Sequence, residues 1–153
     1  SQLAPTMTSF LAVLLAVVLV LIALLHVYWA FGGRWASAAV IPTIPSEVER
    51  NESPVFSPGP VATVMVAVML TVATLIVLAA EGLVGLPVPA RWVRIGIWAI
   101  AGVFFLRAVG DFRYVGFSKR IRETAFARMD TRYYTPLCLA LSALALGVAL
   151  GSG

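Results

Sequence analysis

Four apolar runs, each close in length to the thickness of a bilayer's hydrocarbon core, leave this chain few ways to fold. They cover residues 9–32, 60–81, 91–111 and 133–150. A helix rises about 1.5 Å per residue, so about 20 apolar residues cross a core of roughly 30 Å. Inside lipid every backbone polar group must be satisfied within the chain, which a helix does. The expected fold is all-α: an integral membrane four-helix transmembrane bundle, one domain over residues 1–153. Charged residues are only 12% of the chain, about half the share usual in soluble domains.

The first run, Phe10 to Phe31, has no Lys or Arg before it. Its apolar core also exceeds the roughly 7–15 residues of a signal peptide. It reads as a retained helix. Residues 32–60 hold five prolines and three glycines, which rules out a long regular element there. Pro60 is placed to open the second helix. Thr63, Thr71 and Thr74 are expected to bond carbonyls one turn back. Glu81-Gly82 closes this helix, and the short turn after it implies an antiparallel neighbour. In the third run, Gly96, Gly102, Ala99 and Ala101 offer surfaces for close packing.

Polar chemistry gathers between the third and fourth runs. Arg107 to Pro136 carries seven of the eleven Lys and Arg residues. Phe117, Ile121, Ala125 and Met129 recur every four residues within it, while most of the charges lie elsewhere on the wheel. That pattern predicts a short interfacial amphipathic helix over residues 117–129. The connections after runs one and three hold Arg34, Arg50, Arg113, Lys119, Arg120, Arg122, Arg128 and Arg132; the opposite side holds Arg91 and Arg94. The positive-inside rule then puts both long connections in the cytoplasm and both termini outside, in a multi-pass membrane protein.

This orientation collects candidate ligand-binding residues at one face: His26, Trp29, Arg107, Asp111, Arg113, Asp130, Tyr133 and Tyr134. His26, Trp29 and Gly33 follow helical spacing at the end of the first span. Arg107 and Asp111 are four apart and can pair. Each has a plainer use. A lone His near a helix end commonly bonds between helices, Tyr and Trp form interfacial belts, and basic connections set topology and attract anionic headgroups. An ionisable residue inside a span usually faces a partner or a wet cavity, and for Arg107 a structural ion pair weighs about as much as a substrate site.

No GxSxG, HExxH, CxxC, Walker loop or Gly-rich nucleotide fingerprint is present. One His and one Cys make a thin metal set. No cofactor and no metal are expected, and the net charge of +4 is read as a topology signal rather than a nucleic-acid footprint.

The segments HVYWAFGG (26–33), Ile41-Pro42 and RAVGDFRYVG (107–116), with Phe126, Asp130, Tyr134 and Pro136, resemble the bacterial family of small membrane proteins catalogued as domain of unknown function 3995. The resemblance covers nearly the whole chain. It implies about four spans and brings no activity with it, but it draws His26, Trp29, Arg107, Asp111 and Asp130 together as a shared site.

Three functional readings follow. The first is a small membrane protein binding a lipid-like or amphipathic small molecule in a polar and aromatic pocket at the cytoplasmic helix ends; its partners would be the lipid bilayer and anionic lipid headgroups. The second is a structural or accessory subunit, docking on another copy or on a partner membrane protein. The third is a membrane-embedded enzyme acting on a lipid or isoprenoid, with His26 as acid–base oriented by Asp111 or Asp130. The residues leave open whether there is catalysis.

Overall fold

A computed structural model describes residues 6–45, 52–54, 58–110 and 113–152. Four long helices dominate it: α1 (Met7–Ala30), α3 (Pro60–Ala80), α4 (Ala90–Val109) and α6 (Thr135–Gly151). Between α1 and α3 lie the short helix α2 (Ser37–Val40) and the strands β1 (Thr43–Pro45) and β2 (Glu52–Pro54). The strands pair antiparallel, with Ile44 opposite Ser53. Helix α5 (Ala125–Met129) and one π turn (Asp130–Tyr134) lead without a break into α6. Four helical segments, Met7–Ala30, Pro60–Ala80, Ala90–Val109 and Ala125–Gly151, are long and apolar enough to cross a membrane. That is the pattern of a multi-pass membrane protein.

The helices form a closed ring. Helix α1 packs chiefly on α3, α4 on α6, α3 on α4, and α6 returns to α1. Leu15, Leu19, Val77, Ile97, Leu141 and Val148 fill its axis, each at most 1% exposed. Around them Ala12, Ala16, Ala101 and Ala145 are buried. Small residues at the seams let helix backbones approach closely, which matters where lipid supplies no hydrophobic drive between helices. The outward faces carry Val17, Leu21, Met69, Val103 and Leu106, all exposed, as apolar surroundings allow.

Local sequence signals explain the helix ends. Thr6 caps α1 by accepting from the Ser9 amide, and Pro60 occupies the first turn of α3, where its missing N–H costs nothing. The hydroxyls of Thr63, Thr71 and Thr74 donate to the carbonyls of Gly59, Ala67 and Leu70, as expected. Gly96 lies tight against Ile76 of α3, whereas a side chain at Gly102 would meet open space. Only one of the two glycines therefore serves the seam.

Polar ties hold the ring at mid-height and at one end. Buried Ser142 donates to the Ala101 carbonyl across α6 and α4 at 2.8 Å. At the end holding the short α3–α4 turn, Glu81 accepts from Ser9 at 2.8 Å and from Ser152 at 2.9 Å. One carboxylate thus joins α1, α3 and the end of α6.

The amphipathic helix expected over residues 117–129 is not formed. Helix begins only at Ala125, where the Thr124 hydroxyl accepts from the Ala127 amide as N-cap. Residues 113–124 are turns and bends. The four-residue apolar line does not face inward: Phe117 and Ala125 are exposed, while Lys119, Thr124, Phe126, Ala127 and Asp130 are buried. Gly116 and the buried Lys119 decide the path instead. The fourth long helical segment accordingly runs from Ala125 to Gly151.

Candidate functional site

The polar connection is anchored on Asp130, which is 0% exposed. Its Oδ1 accepts from Arg107 Nη2 at 2.9 Å. Its Oδ2 accepts from Lys119 Nζ at 2.9 Å and from the Gly116 amide at 2.8 Å. Lys119 Nζ also donates to the Gly116 carbonyl at 3.1 Å. A carboxylate so buried needs such a set of donors, because losing water costs an ion several kcal/mol. Both ion pairs among the described residues end on Asp130.

Sequence sets each donor in place. Arg107 is in the last turn of α4. Beyond it the chain reverses through Gly110 and Gly116, both with positive φ. A Cβ at Gly116 would meet the carbonyls of Ala108 and Val109 at 2.6 and 2.5 Å. The returning chain caps α4: the Phe117 amide donates to Ala108 O at 2.9 Å and the Ser118 amide to Val109 O at 3.2 Å. That reversal aims the Gly116 amide and Lys119 at Asp130. The π turn starting at Asp130 adds one residue per turn locally, and such turns recur at functional sites. Arg122 and Arg128 tie the same segment to the carbonyls of Lys119 and Glu123.

His26 and Trp29 form a second group, at the end of α1. His26 Nδ1–H donates to the Ile22 carbonyl at 2.8 Å, and its ring meets Trp29 edge-on with centroids 5.2 Å apart. Trp29 Nε1 donates to Trp35 O at 2.8 Å, and the Trp35 amide donates to the Tyr28 hydroxyl at 3.3 Å. These bonds fold the start of the 32–60 connection over α1. Tyr134 ties in α2 by donating to the Ala39 carbonyl at 3.0 Å, and its ring tilts onto Phe126.

The eight candidate residues therefore divide. Arg107 and Asp130 bond directly, and Tyr134 lies four residues beyond Asp130. No hydrogen bond or ion pair among the described residues joins His26 and Trp29 to that pair. Tyr133 is exposed, with Arg132 over its ring. Arg113 is exposed and stacks over Tyr114. Asp111 lies outside the described residues, and with it the expected Arg107–Asp111 pair; Arg107 is held by Asp130. Lys119, Thr124 and Gly116 were not singled out as site residues. Nothing in their spacing marks them, since Lys119 and Asp130 are eleven residues apart and meet only through the reversal.

Chemically, this cluster is a latch. Both oxygens of Asp130 are engaged by cations or an amide, which leaves it poorly suited to take a proton from a substrate. One donor remains unplaced: Arg107 Nη1 is buried without a hydrogen-bond partner. Among the described residues, no three or more His, Cys, Asp or Glu side chains come together in a way that could hold a metal ion. A cavity of about 290 Å³ lies at the other end of the bundle, between α3, α4 and α6, and none of the eight candidates lines it.

The sequence profile of the protein family of unknown function DUF3995 matches residues 19–145. The chain belongs to DUF3995. The matched region includes His26, Trp29, Arg107, Lys119, Asp130 and Tyr134. No curated protein and no solved structure matches the chain. The family brings no known activity, and any specific role must come from the residues themselves.

Proposed function

We propose that this DUF3995 protein binds an anionic lipid-like molecule at the end of the bundle held by Asp130, on the cytoplasmic side of a bacterial inner membrane. The observation that carries this reading is the charge imbalance at the latch. Arg107 and Lys119 share one described carboxylate, and Arg107 keeps a donor with no acceptor. The Arg107 side chain is still 34% exposed. An anionic headgroup would meet the exposed part of the Arg107 side chain without disturbing Asp130.

The surroundings suit a headgroup. Arg113, Arg120, Arg122, Arg128 and Arg132 are all exposed near this end, and each cation near an anionic surface is worth about 1 kcal/mol. Phe31, Trp35, Phe117 and Tyr133 are exposed beside them, as in an interfacial aromatic belt. Of the contacts the enzyme reading could use, the one from His26 to Asp130 is absent among the described residues: His26 is bonded within its own helix and Asp130 is engaged by Arg107, Lys119 and Gly116.

The test compares retention of phosphatidylglycerol and phosphatidylcholine by native mass spectrometry of the protein released from nanodiscs. Phosphatidylglycerol should be retained preferentially. Arg107→Gln should reduce that preference at least tenfold and Arg107→Lys less. Equal retention of the two lipids, or an unchanged preference in Arg107→Gln, would refute the reading.

A further inference from the structure

The cavity at the opposite end is a separate site. Its walls are apolar, from Ala80 on α3, from Val84 and Leu86 in the α3–α4 turn, and from Val93 and Ile97 on α4. Arg94 also lines it. Arg94 is exposed, and it has no ion pair or hydrogen bond among the described residues. The bundle therefore holds an apolar recess and an unneutralised cation together at the level where α3 ends and α4 begins.

We infer that this cavity takes the chain of a single-tailed, carboxylate-headed amphiphile, with the head on Arg94. Three observations select that occupant. A volume of about 290 Å³ is at the small end of ligand pockets, which run from roughly 300 to 1,000 Å³; it suits one chain better than two. The lining is apolar apart from Arg94 and Ser152, so a chain gains by entering and only a head needs polar partners. The charge at Arg94 matches an anion, and a guanidinium engages a carboxylate through paired N–H donors. Glu81, at the end of α3, makes no ion pair with Arg94 and accepts from Ser9 and Ser152. This site shares no residue with the Arg107 latch, and either can fail without the other.

The experiment titrates purified protein in a nonionic detergent with dodecanoate, with dodecanol as the uncharged control, by isothermal calorimetry. Dodecanoate should bind saturably with one site per chain, and dodecanol at least tenfold more weakly. Arg94→Gln should weaken dodecanoate at least tenfold. Gly85→Phe should weaken binding: Gly85 lines the cavity and a Cβ there meets nothing within 4 Å, so a ring is added at the wall of the recess without a clash. Both variants should keep the parent's melting temperature, while Arg107→Gln should bind dodecanoate as the parent does. Non-saturable uptake, equal binding of dodecanol, or parent-like binding by folded Arg94→Gln or Gly85→Phe would overturn the proposal. Loss of binding in Arg107→Gln with its fold intact would overturn it as well.

Discussion

Lys119 Nζ lies 2.9 Å from Asp130 Oδ2, with the two side chains 2% and 0% exposed. A lysine is almost never this buried without a partner. The pair joins a segment without helix to the first turns of the fourth span. Every described polar contact that holds the 113–124 connection in place either ends on Asp130 or lies within a few residues of Gly116 and Lys119. Such a pair is weak evidence for net stability, because desolvation offsets much of its attraction. It does fix one path for the chain.

Removing one partner should therefore be costly. Asp130→Asn leaves a buried ammonium facing a neutral amide and should destabilise by about 3–5 kcal/mol. Thermal unfolding in detergent checks this. The double variant Asp130→Asn with Lys119→Met should recover part of the loss. A parent-like melting temperature for Asp130→Asn alone would show that the latch does not hold.

Gly116 should tolerate no side chain. Its φ is +81° and a Cβ would press on two α4 carbonyls. Gly116→Ala should lose more than the roughly 1–2 kcal/mol of left-handed strain alone. Gly32 has a similar φ of +88° but open space around it, so Gly32→Ala should lose only the strain. Equal losses at the two positions would show that the close approach at Gly116 does not matter.

The two glycines of α4 should behave oppositely. Gly96→Val forces atoms onto Ile76 and should destabilise by about 1–3 kcal/mol. Gly102→Ala meets nothing within 4 Å and should be neutral or stabilising by up to about 1 kcal/mol, since alanine favours helix over glycine. Unfolding midpoints of the two variants give the comparison.

Thr124 should act as a cap rather than as a site residue. Thr124→Ala removes the acceptor for the Ala127 amide and should lose about 1 kcal/mol, while Thr124→Ser should retain most of it. Amide exchange over residues 125–129 reads the effect directly: faster exchange in the alanine variant is expected, and no change would place the start of the helix elsewhere.

The proposed orientation has its own measurement. In a Cys138→Ser background, Val88→Cys in the exposed α3–α4 turn should react with a membrane-impermeant maleimide added outside intact cells. Arg128→Cys should react only after the membrane is opened. The reverse pattern would invert the topology.

Hydropathy and length determined the four spans, because a chain in lipid has only one way to satisfy the backbone of a 20-residue apolar run. The Pro60 start and the threonine back-bonds were legible for the same reason: each rests on local spacing. Tertiary structure alone decided the rest. The apolar period over residues 117–129 promised a helix, but a buried Lys119 and the reversal at Gly116 gain more by satisfying Asp130 than that segment gains from helical bonds. Arg107 found a partner 23 residues away, beyond the reach of any local spacing. Periodicity describes one element at a time; burial of a charge is settled by whichever distant group the fold brings within 3 Å.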